Sequence, residues 1–238
     1  MATPSLVAFG AIAPWPASDR LDQLRDALLY QNSLKPILSA IQELPMLWKT
    51  LSGQDPSLQN TTGKAAADQL AQWTTGVGPA QVLDDKGNVT RMPLTTIAHI
   101  VQYFNYLRQR DEPLGHESVL KSVGLGGGIQ GFCIGLLSAL AVASGKTEDD
   151  VGKFAAISVR LAFCVGAYVD LDQHRNSGGS KASTFAVRWK TPTTLEDIQR
   201  LLSGHQDVSF TVKFRHSTFH LASPPVARHQ SCYALDFV

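Results

Sequence analysis

Cysteine is scarce in this sequence, with only three residues in 238, and they lie far apart at Cys133, Cys164 and Cys232. No two cysteines are separated by just two residues, so neither a disulfide framework nor a cysteine-based structural zinc site is expected. Such sparing use of thiols is typical of proteins in a reducing compartment. We therefore predict a cytoplasmic location.

An excess of charge of one sign is also lacking. Lys and Arg number 21 against 20 Asp and Glu, for a formal net charge of +1. The basic residues form no run that could follow a phosphate backbone, so nucleic acid is not an expected partner. The longest apolar stretch, residues 132–143, is too short to span a bilayer, and the first residues lack the basic start of a signal peptide. A membrane is not an expected partner either.

The composition that is present is that of an ordinary globular protein, 44% hydrophobic and 17% charged. The length suffices for one sizeable α/β domain, with or without a small subdomain. Residue patterns predict a first strand at residues 5–12, helices at residues 18–28, 34–51 and 65–73, a helix opened by Pro93, and a strand at residues 118–125. Pro45 is expected to break the second helix. A capping box formed by Thr147 and Asp150 predicts the start of a long helix.

Residues 174–183, HRNSGGSKAS, read as a linker, and the pattern changes after them. A strand at residues 184–189, a helix at 191–204 and strands at 208–214 and 217–222 are predicted. This order supplies four of the six elements of a ferredoxin-like split βαβ unit. The predicted organisation is a partial core at residues 1–176, an incomplete ferredoxin-like subdomain at 183–226, and a tail of unclear structure at 227–238.

The stretch GGGIQGFCIG, residues 126–135, is the most informative motif, and it admits three interpretations. Gly126, Gly128 and Gly131 satisfy G-x-G-x-x-G before a predicted helix, as a phosphate-binding loop would. Gly131, Cys133 and Gly135 alternatively match a nucleophile elbow, in which a sharp strand-to-helix turn leaves no room for side chains beside the nucleophile. In a third interpretation, the thiol fills space in a buried turn.

The elbow interpretation assigns a chemical role to each residue of the turn. A thiol at a helix N-terminus has its thiolate favoured by the helix dipole, which would make Cys133 a usable nucleophile. The amide of Ile134, directly after it, would be one donor of an oxyanion hole. The spacing does not choose between this elbow and the buried turn.

Several segments together resemble a known family, the starter-unit acyltransferase (acyl-carrier-protein transacylase) domain of fungal non-reducing polyketide synthases. They are Phe9 and Gly10, the PLTTIAHIVQY helix, GIQGFCIGLLSALAVASG, ISVRLAFCVGAYVD and the STFHLASPP strand. The resemblance implies an α/β fold with a malonyl-transferase-like, α/β-hydrolase-like acyltransferase core and a ferredoxin-like small subdomain.

The implied activity is transfer of a starter acyl group from a thioester donor, through an acyl-cysteine at Cys133, to an acyl carrier protein in the biosynthesis of polyketide secondary metabolites. The thioester is carried by coenzyme A or by the phosphopantetheine arm of the carrier protein, with no bound cofactor and no metal. The implied partners are an acyl carrier protein or a partner polyketide or fatty-acid synthase, and the acyl thioester itself.

Two features depart from the family pattern. The family places its catalytic histidine after the small subdomain, whereas this sequence stops while that subdomain is incomplete; we expect a C-terminally truncated domain with impaired activity. His216 and His220 are the candidates for a base, though neither occupies the family's position. The family also follows Phe-Gly with a pair that includes glutamine, where this sequence has Ala11 and Ile12.

The sequence also leaves open two functions other than acyl transfer. A cysteine hydrolase would use Asp170 or Asp172 with His216 or His220, and a non-catalytic remnant would only bind a carrier protein. Gln130 is the nearby glutamine that could replace the missing one, and Arg160 is interpreted as structural. The remaining residues predicted to be ordinary surface histidines are His99, His116, His174 and His205.

Overall fold

The structure is a computed structural model that describes residues 5–11, 18–76, 87–109, 114–176, 184–188, 197, 200, 209–213 and 218–222. Its helices are α1 (Ser18–Tyr30), α2 (Lys35–Gln42), α3 (Leu44–Gln54), α4 (Gly63–Trp73), α5 (Asn88–Arg108), α6 (His116–Gly124), α7 (Gly135–Ser144) and α8 (Glu148–Asn176). Its strands are β1 (Leu6–Phe9), β2 (Gly128–Gly131), β3 (Thr184–Arg188), β4 (Ser209–Lys213) and β5 (Thr218–Ala222). The chain divides into two compact units, Met1–Leu171 and Asp172–Val238.

The first unit is built mainly from amphipathic helices, and the predictions for α1 to α4 are confirmed. Leu21, Leu24 and Leu28 of α1 are all buried, as their helical spacing predicts. The predicted second helix divides into α2 and α3 at Glu43, two residues before Pro45. Pro45 lies at the start of α3, where its missing N–H costs no hydrogen bond.

Helix α5 begins five residues earlier than predicted, at Asn88, so that Pro93 lies inside the helix and does not open it. The reason is a contact distant in sequence. The Asp170 carboxylate of α8 accepts hydrogen bonds from the backbone N–H groups of Asn88 and Val89 at 2.9 and 3.0 Å. These are amides that a helix end leaves unpaired, and satisfying them allows the helix to start ahead of the proline.

The strand predicted at residues 118–125 is wrong, because this segment forms α6. Val119 and Val123 are four residues apart and both are buried, as on one helix face. Glu117 and Lys121 on the outer face form an i,i+4 ion pair at 2.8 Å. A short apolar run of this kind does not distinguish strand from helix by periodicity alone.

Helix α8 starts with the predicted capping box, which is confirmed. The Asp150 amide donates to Thr147 Oγ1 at 3.2 Å, and the Thr147 amide donates to the Asp150 carboxylate at 3.3 Å. Among the described helices, α8 alone is long and apolar enough to cross a membrane, and half of its apolar stretch is buried. A core helix meets the same criteria. Its other face exposes Phe154, Ile157, Leu161, Val165 and Tyr168.

The first unit also contains a parallel pair of strands, β1 and β2, in which Leu6 pairs with Gly128 and Phe9 with Gly131. The strand predicted at residues 5–12 is thereby confirmed over Leu6–Phe9. Helix α7 follows β2 and contacts both strands, while α5 packs against α7. The carboxyl ends of β1 and β2 therefore meet at one edge, directly before the N-terminus of α7.

The second unit contains an antiparallel sheet in the order β3–β5–β4. In the central strand, His220 is paired with Ala186 of β3 and Thr211 of β4. The three predicted strands are confirmed. The helix predicted at residues 191–204 lies almost wholly outside the described residues, as does most of the linker, although residues 174–176 are the end of α8. The ferredoxin-like and malonyl-transferase-like assignments remain predictions.

Candidate active site

The cysteine turn, residues 131–135, connects β2 to α7. Cys133 is exposed and has a φ of 55°. Among the described residues, no other residue except glycine has a positive φ. L-residues reach this left-handed conformation at a cost, and residues held there cluster at functional sites. Gly131 and Gly135 flank it at the predicted spacing.

Both flanking glycines are required by close backbone contacts. A Cβ on Gly135 would collide with the carbonyl oxygens of Phe9 and Gly10, and one on Gly131 would collide with the carbonyl of Gly135 and the Cα of Leu136. The turn is thus sharp enough to bring the end of β1, the end of β2 and the first residues of α7 into contact. This is the steric condition that a nucleophile elbow imposes.

The backbone of the turn leaves two amides available at the thiol, those of Cys133 and Ile134. The Phe132 amide donates to Phe9 O at 2.9 Å, the Gly135 amide to Phe132 O at 3.0 Å, and the Leu136 amide to Cys133 O at 3.0 Å. Among the described residues, the Ile134 amide donates to no acceptor. An unpaired N–H at a helix N-terminus can bind an anionic oxygen, aided by the helix dipole.

The first glycines of the motif lie at the opposite end of β2. Gly126 is in the turn that precedes the strand, and Gly128 is its first residue, so at least residues 129–134 separate them from the N-terminus of α7. Their amides are therefore at the wrong edge to form a cradle with that helix. The phosphate-loop interpretation is wrong for this chain.

Helix α7 is held in place by buried contacts along its length. Ser138 is completely buried and its Oγ lies 3.1 Å from His99 Nδ1 on α5. Ser158 of α8 donates to the Leu137 carbonyl at 2.9 Å. Ile134 is itself buried in a small apolar cluster with Met92 and Ala162, joined by the partly buried Leu137 and Val169.

The prediction that His99 is an ordinary surface residue is wrong. The ring packs against Phe9, with centroids 5.5 Å apart, and burial lowers the pKa of His99. His116 was likewise expected in a surface loop, but it is the first residue of α6 and only 3% exposed.

His116 completes a hydrogen-bonded network. Its Nε2 lies 3.1 Å from the Gly145 carbonyl, and its Nδ1 lies 2.6 Å from the hydroxyl of Tyr103. Because a carbonyl can only accept, a neutral ring carries its proton on Nε2 and accepts from Tyr103 through Nδ1. Burial raises the pKa of Tyr103, and the charge of Glu148 raises it further.

The structure does not place Gln130 as a substitute for the missing glutamine, because its side chain donates to the Gly127 carbonyl at 3.1 Å, at the start of β2. Ala11 lies just beyond the end of β1, and Ile12 is outside the described residues. Arg160 forms an ion pair with Glu43 at 2.5 Å, in agreement with its structural interpretation.

One of the two acids proposed for a hydrolase, Asp170, is already engaged. Asp170 accepts from Asn88 Nδ2 at 2.8 Å in addition to the two backbone amides of α5, so its oxygens are used to cap that helix. His216 lies outside the described residues, and His220 is in the central strand of the second unit. The pairing of Asp170 or Asp172 with either histidine stays a prediction.

A groove on the first unit lies away from the cysteine turn. This open groove of about 540 Å³ runs between α3 and α4, lined by Pro45, Trp48, Lys49, Ser52, Gln59, Lys64 and Asp68. No cluster of three or more His, Cys, Asp and Glu side chains able to hold a metal ion occurs within the described residues.

A cysteine at positive φ between a strand and an apolar helix, with glycines two residues away on either side, has the geometry of the turns that carry the nucleophile in acyl-transferring and hydrolytic enzymes. Comparison with known families narrows this class. The family described as "Starter unit:ACP transacylase in aflatoxin biosynthesis" matches residues 64–209, more than half of the chain. The chain belongs to this family, and the resemblance predicted from its sequence is confirmed.

Individual relatives are polyketide synthases. The chain is 77% identical to methylphloroacetophenone synthase of Cladonia uncialis over 212 residues, which cover 89% of this chain and 8% of that protein. It is 34% identical to 5-methylorsellinic acid synthase of Aspergillus terreus over 230 residues, or 95% of this chain and 8% of that protein. A non-reducing polyketide synthase of Preussia isomera, Preu3, is 35% identical over 213 residues. The chain thus spans about 8% of the length of the curated relatives it matches.

Proposed function

We propose that this chain carries the acyl-accepting site of a starter-unit transacylase, with Cys133 as the nucleophile. The observation that carries the proposal is the exposed thiol at a φ of 55° in a turn whose flanking glycines admit no side chain. Backbone strain at an exposed reactive group is a cost that a purely structural turn would avoid by using glycine. Membership of the transacylase family supports the same role.

The reaction is a double displacement. The Cys133 sulfur attacks the thioester carbonyl of the donor, a new C–S bond forms, and the donor C–S bond breaks to release coenzyme A or a phosphopantetheine thiol. The thiol of an acyl carrier protein then attacks the acyl-cysteine and regenerates Cys133. The proton lost by the attacking thiol at each step is returned to the departing sulfur, so atoms and charge balance.

The tetrahedral intermediate needs hydrogen-bond donors for its oxyanion. The free amide of Ile134 is suited to this role, since it directly follows the nucleophile. We assign the second donor to the backbone directly after β1, at Gly10 and Ala11, because the carbonyls of Phe9 and Gly10 lie against Gly135 and bring this end of the strand to the turn. A backbone donor does not require the glutamine side chain that this sequence lacks.

Removal of the thiol proton needs a base. Within the described residues, no histidine or carboxylate forms a hydrogen bond with Cys133, and both His99 and His116 have partners elsewhere. We therefore expect the described residues by themselves to support only slow acylation of Cys133, compared with a protein in which a histidine contacts the thiol.

The test is to incubate the protein with a panel of acyl-coenzyme A donors and to measure its intact mass. We expect a single acyl adduct that is retained in Cys164→Ala and lost in Cys133→Ala. Addition of a carrier protein bearing its phosphopantetheine arm should move the acyl group to the carrier. Release of free acid without a carrier would indicate a hydrolase instead. Folded protein that acquires no adduct from any donor, yet binds the carrier, would indicate the non-catalytic alternative and refute the proposal.

A further inference from the structure

The hydrogen bond between His99 and Ser138 joins the helix that carries the cysteine turn to the neighbouring α5. Ser138 Oγ is completely buried, and such a hydroxyl must find a partner. The usual alternative for a helical serine is the carbonyl four residues earlier, here that of Ile134, and among the described residues Ser138 Oγ makes no hydrogen bond to it. His99 Nδ1, at 3.1 Å, is the partner that the described residues provide.

The same imidazole contacts the other side of the turn through Phe9. The two ring centroids are 5.5 Å apart, and Phe9 is 7% exposed. Phe9 ends β1, and its carbonyl accepts the Phe132 amide at 2.9 Å, one residue before Cys133. His99 thus contacts both elements that meet at the cysteine turn, the end of β1 and the first half of α7.

We infer that His99 is a positioning residue for Cys133, which fixes α7 through Ser138 and the end of β1 through Phe9 so that the thiol and the Ile134 amide face the same substrate carbonyl. This inference rests on the proposed role of Cys133. His99 touches no reacting atom and does not act as the base. The half-buried ring stays neutral near pH 7, since partial burial lowers its pKa, and a neutral imidazole can accept a hydrogen bond from the Ser138 hydroxyl.

The test measures the reactivity of Cys133 itself. The rate of alkylation of Cys133 by iodoacetamide, followed by peptide mass mapping, and the rate of acyl-adduct formation are compared in His99→Leu, His99→Gln and Ser138→Ala. We expect His99→Leu and Ser138→Ala each to slow acyl-adduct formation on the order of tenfold, because small misplacements of a nucleophile are costly. Glutamine can still bond to Ser138, so His99→Gln should recover most of the lost rate.

His116 offers a matched control, since it is a buried, hydrogen-bonded histidine whose partners are Tyr103 and Gly145. His116→Leu should lower the melting temperature about as much as His99→Leu but slow both Cys133 rates much less, because His116 reaches the turn only indirectly, through Tyr103 and its contact with Phe9. The inference is overturned if His99→Leu and Ser138→Ala lose stability but keep the wild-type rates at Cys133.

The two proposals fail differently. Absence of any acyl adduct in the wild type would refute the acyl-transfer function, while the iodoacetamide rates would still decide whether His99 positions the thiol. Should His99→Leu not fold, Ser138→Ala, which removes a single oxygen, supplies the same comparison.

Discussion

The carboxylate of Asp170 accepts both the backbone and the side-chain amide of Asn88, at 2.9 and 2.8 Å, across 82 residues of sequence. It thereby caps α5 from α8, with the Val89 amide as a third donor at 3.0 Å. A carboxylate at a helix N-terminus satisfies unpaired amides and interacts favourably with the helix dipole.

Asp170→Ala should therefore lower the free energy of unfolding by about 2 kcal/mol, the usual value for hydrogen bonds to a charged group. Asp170→Asn, which keeps one acceptor oxygen but not the charge, should lose roughly half as much. Urea denaturation followed by circular dichroism measures both. The exposed Asp26, on the outer side of α1, is the control, and equal effects of Asp170→Ala and Asp26→Ala would contradict the capping role.

This cap also shows what the sequence could not reveal. The start of α8 was predictable because Thr147 and Asp150 lie three residues apart and form a local motif. The start of α5 depends on Asp170, which no local pattern links to Asn88. Pro93 was the strongest local signal for a helix start, and a tertiary contact overrode it.

The cysteine turn was predictable because its requirement is steric and local. Gly131 and Gly135 are spaced as a sharp turn demands, and the structure places both against backbone atoms. The partial burial of His99 was not predicted, although Thr96 and Tyr103, which lie at helical spacing from it, are both buried. Its partner Ser138 was not predictable, because the packing of α5 on α7 is a tertiary feature.

Gly135→Ala should prevent the turn from forming. The added methyl would collide with the Phe9 and Gly10 carbonyls, which are backbone atoms that cannot move aside, so a loss of about 3 kcal/mol or more is expected. Gly53→Ala is the matched control, because Gly53 lies in α3 with open space around its Cα. There, alanine should stabilise the helix by about 0.5–1 kcal/mol. Similar melting temperatures for the two variants would contradict the close approach.

The backbone strain at Cys133 predicts that the side chain at this position lowers the stability of the protein. At a φ of 55°, glycine avoids the steric cost of Cβ, whereas alanine retains it. Cys133→Gly should therefore be more stable than Cys133→Ala by about 1 kcal/mol, although both remove the thiol. Thermal and urea denaturation of the two variants provide the comparison. A Cys133→Gly protein that is less stable than Cys133→Ala would show that the cysteine turn is unstrained.

His99 predicts a pH dependence whose sign follows from its surroundings. Burial lowers the pKa of His99 from its usual value of 6.5, so in a window just below that value the unfolded chain binds more protons than the folded one. Stability should therefore fall as the pH is lowered from about 6.5 through the folded-state pKa, and the loss should be absent in His99→Gln.

The contacts recorded for His99 are the Ser138 hydroxyl and the Phe9 ring, and no carboxylate in the described part of the chain lies against it to oppose this effect. The carboxyls whose pKa is lowered, those of Glu117 and Asp150, titrate below 4.5, outside this window. Urea denaturation of wild type and His99→Gln at pH 7.5, 6.5 and 5.5 measures this difference in stability. A wild-type stability that does not change with pH would contradict a neutral, partly buried ring. A fall of equal size in both proteins would assign the effect to another histidine.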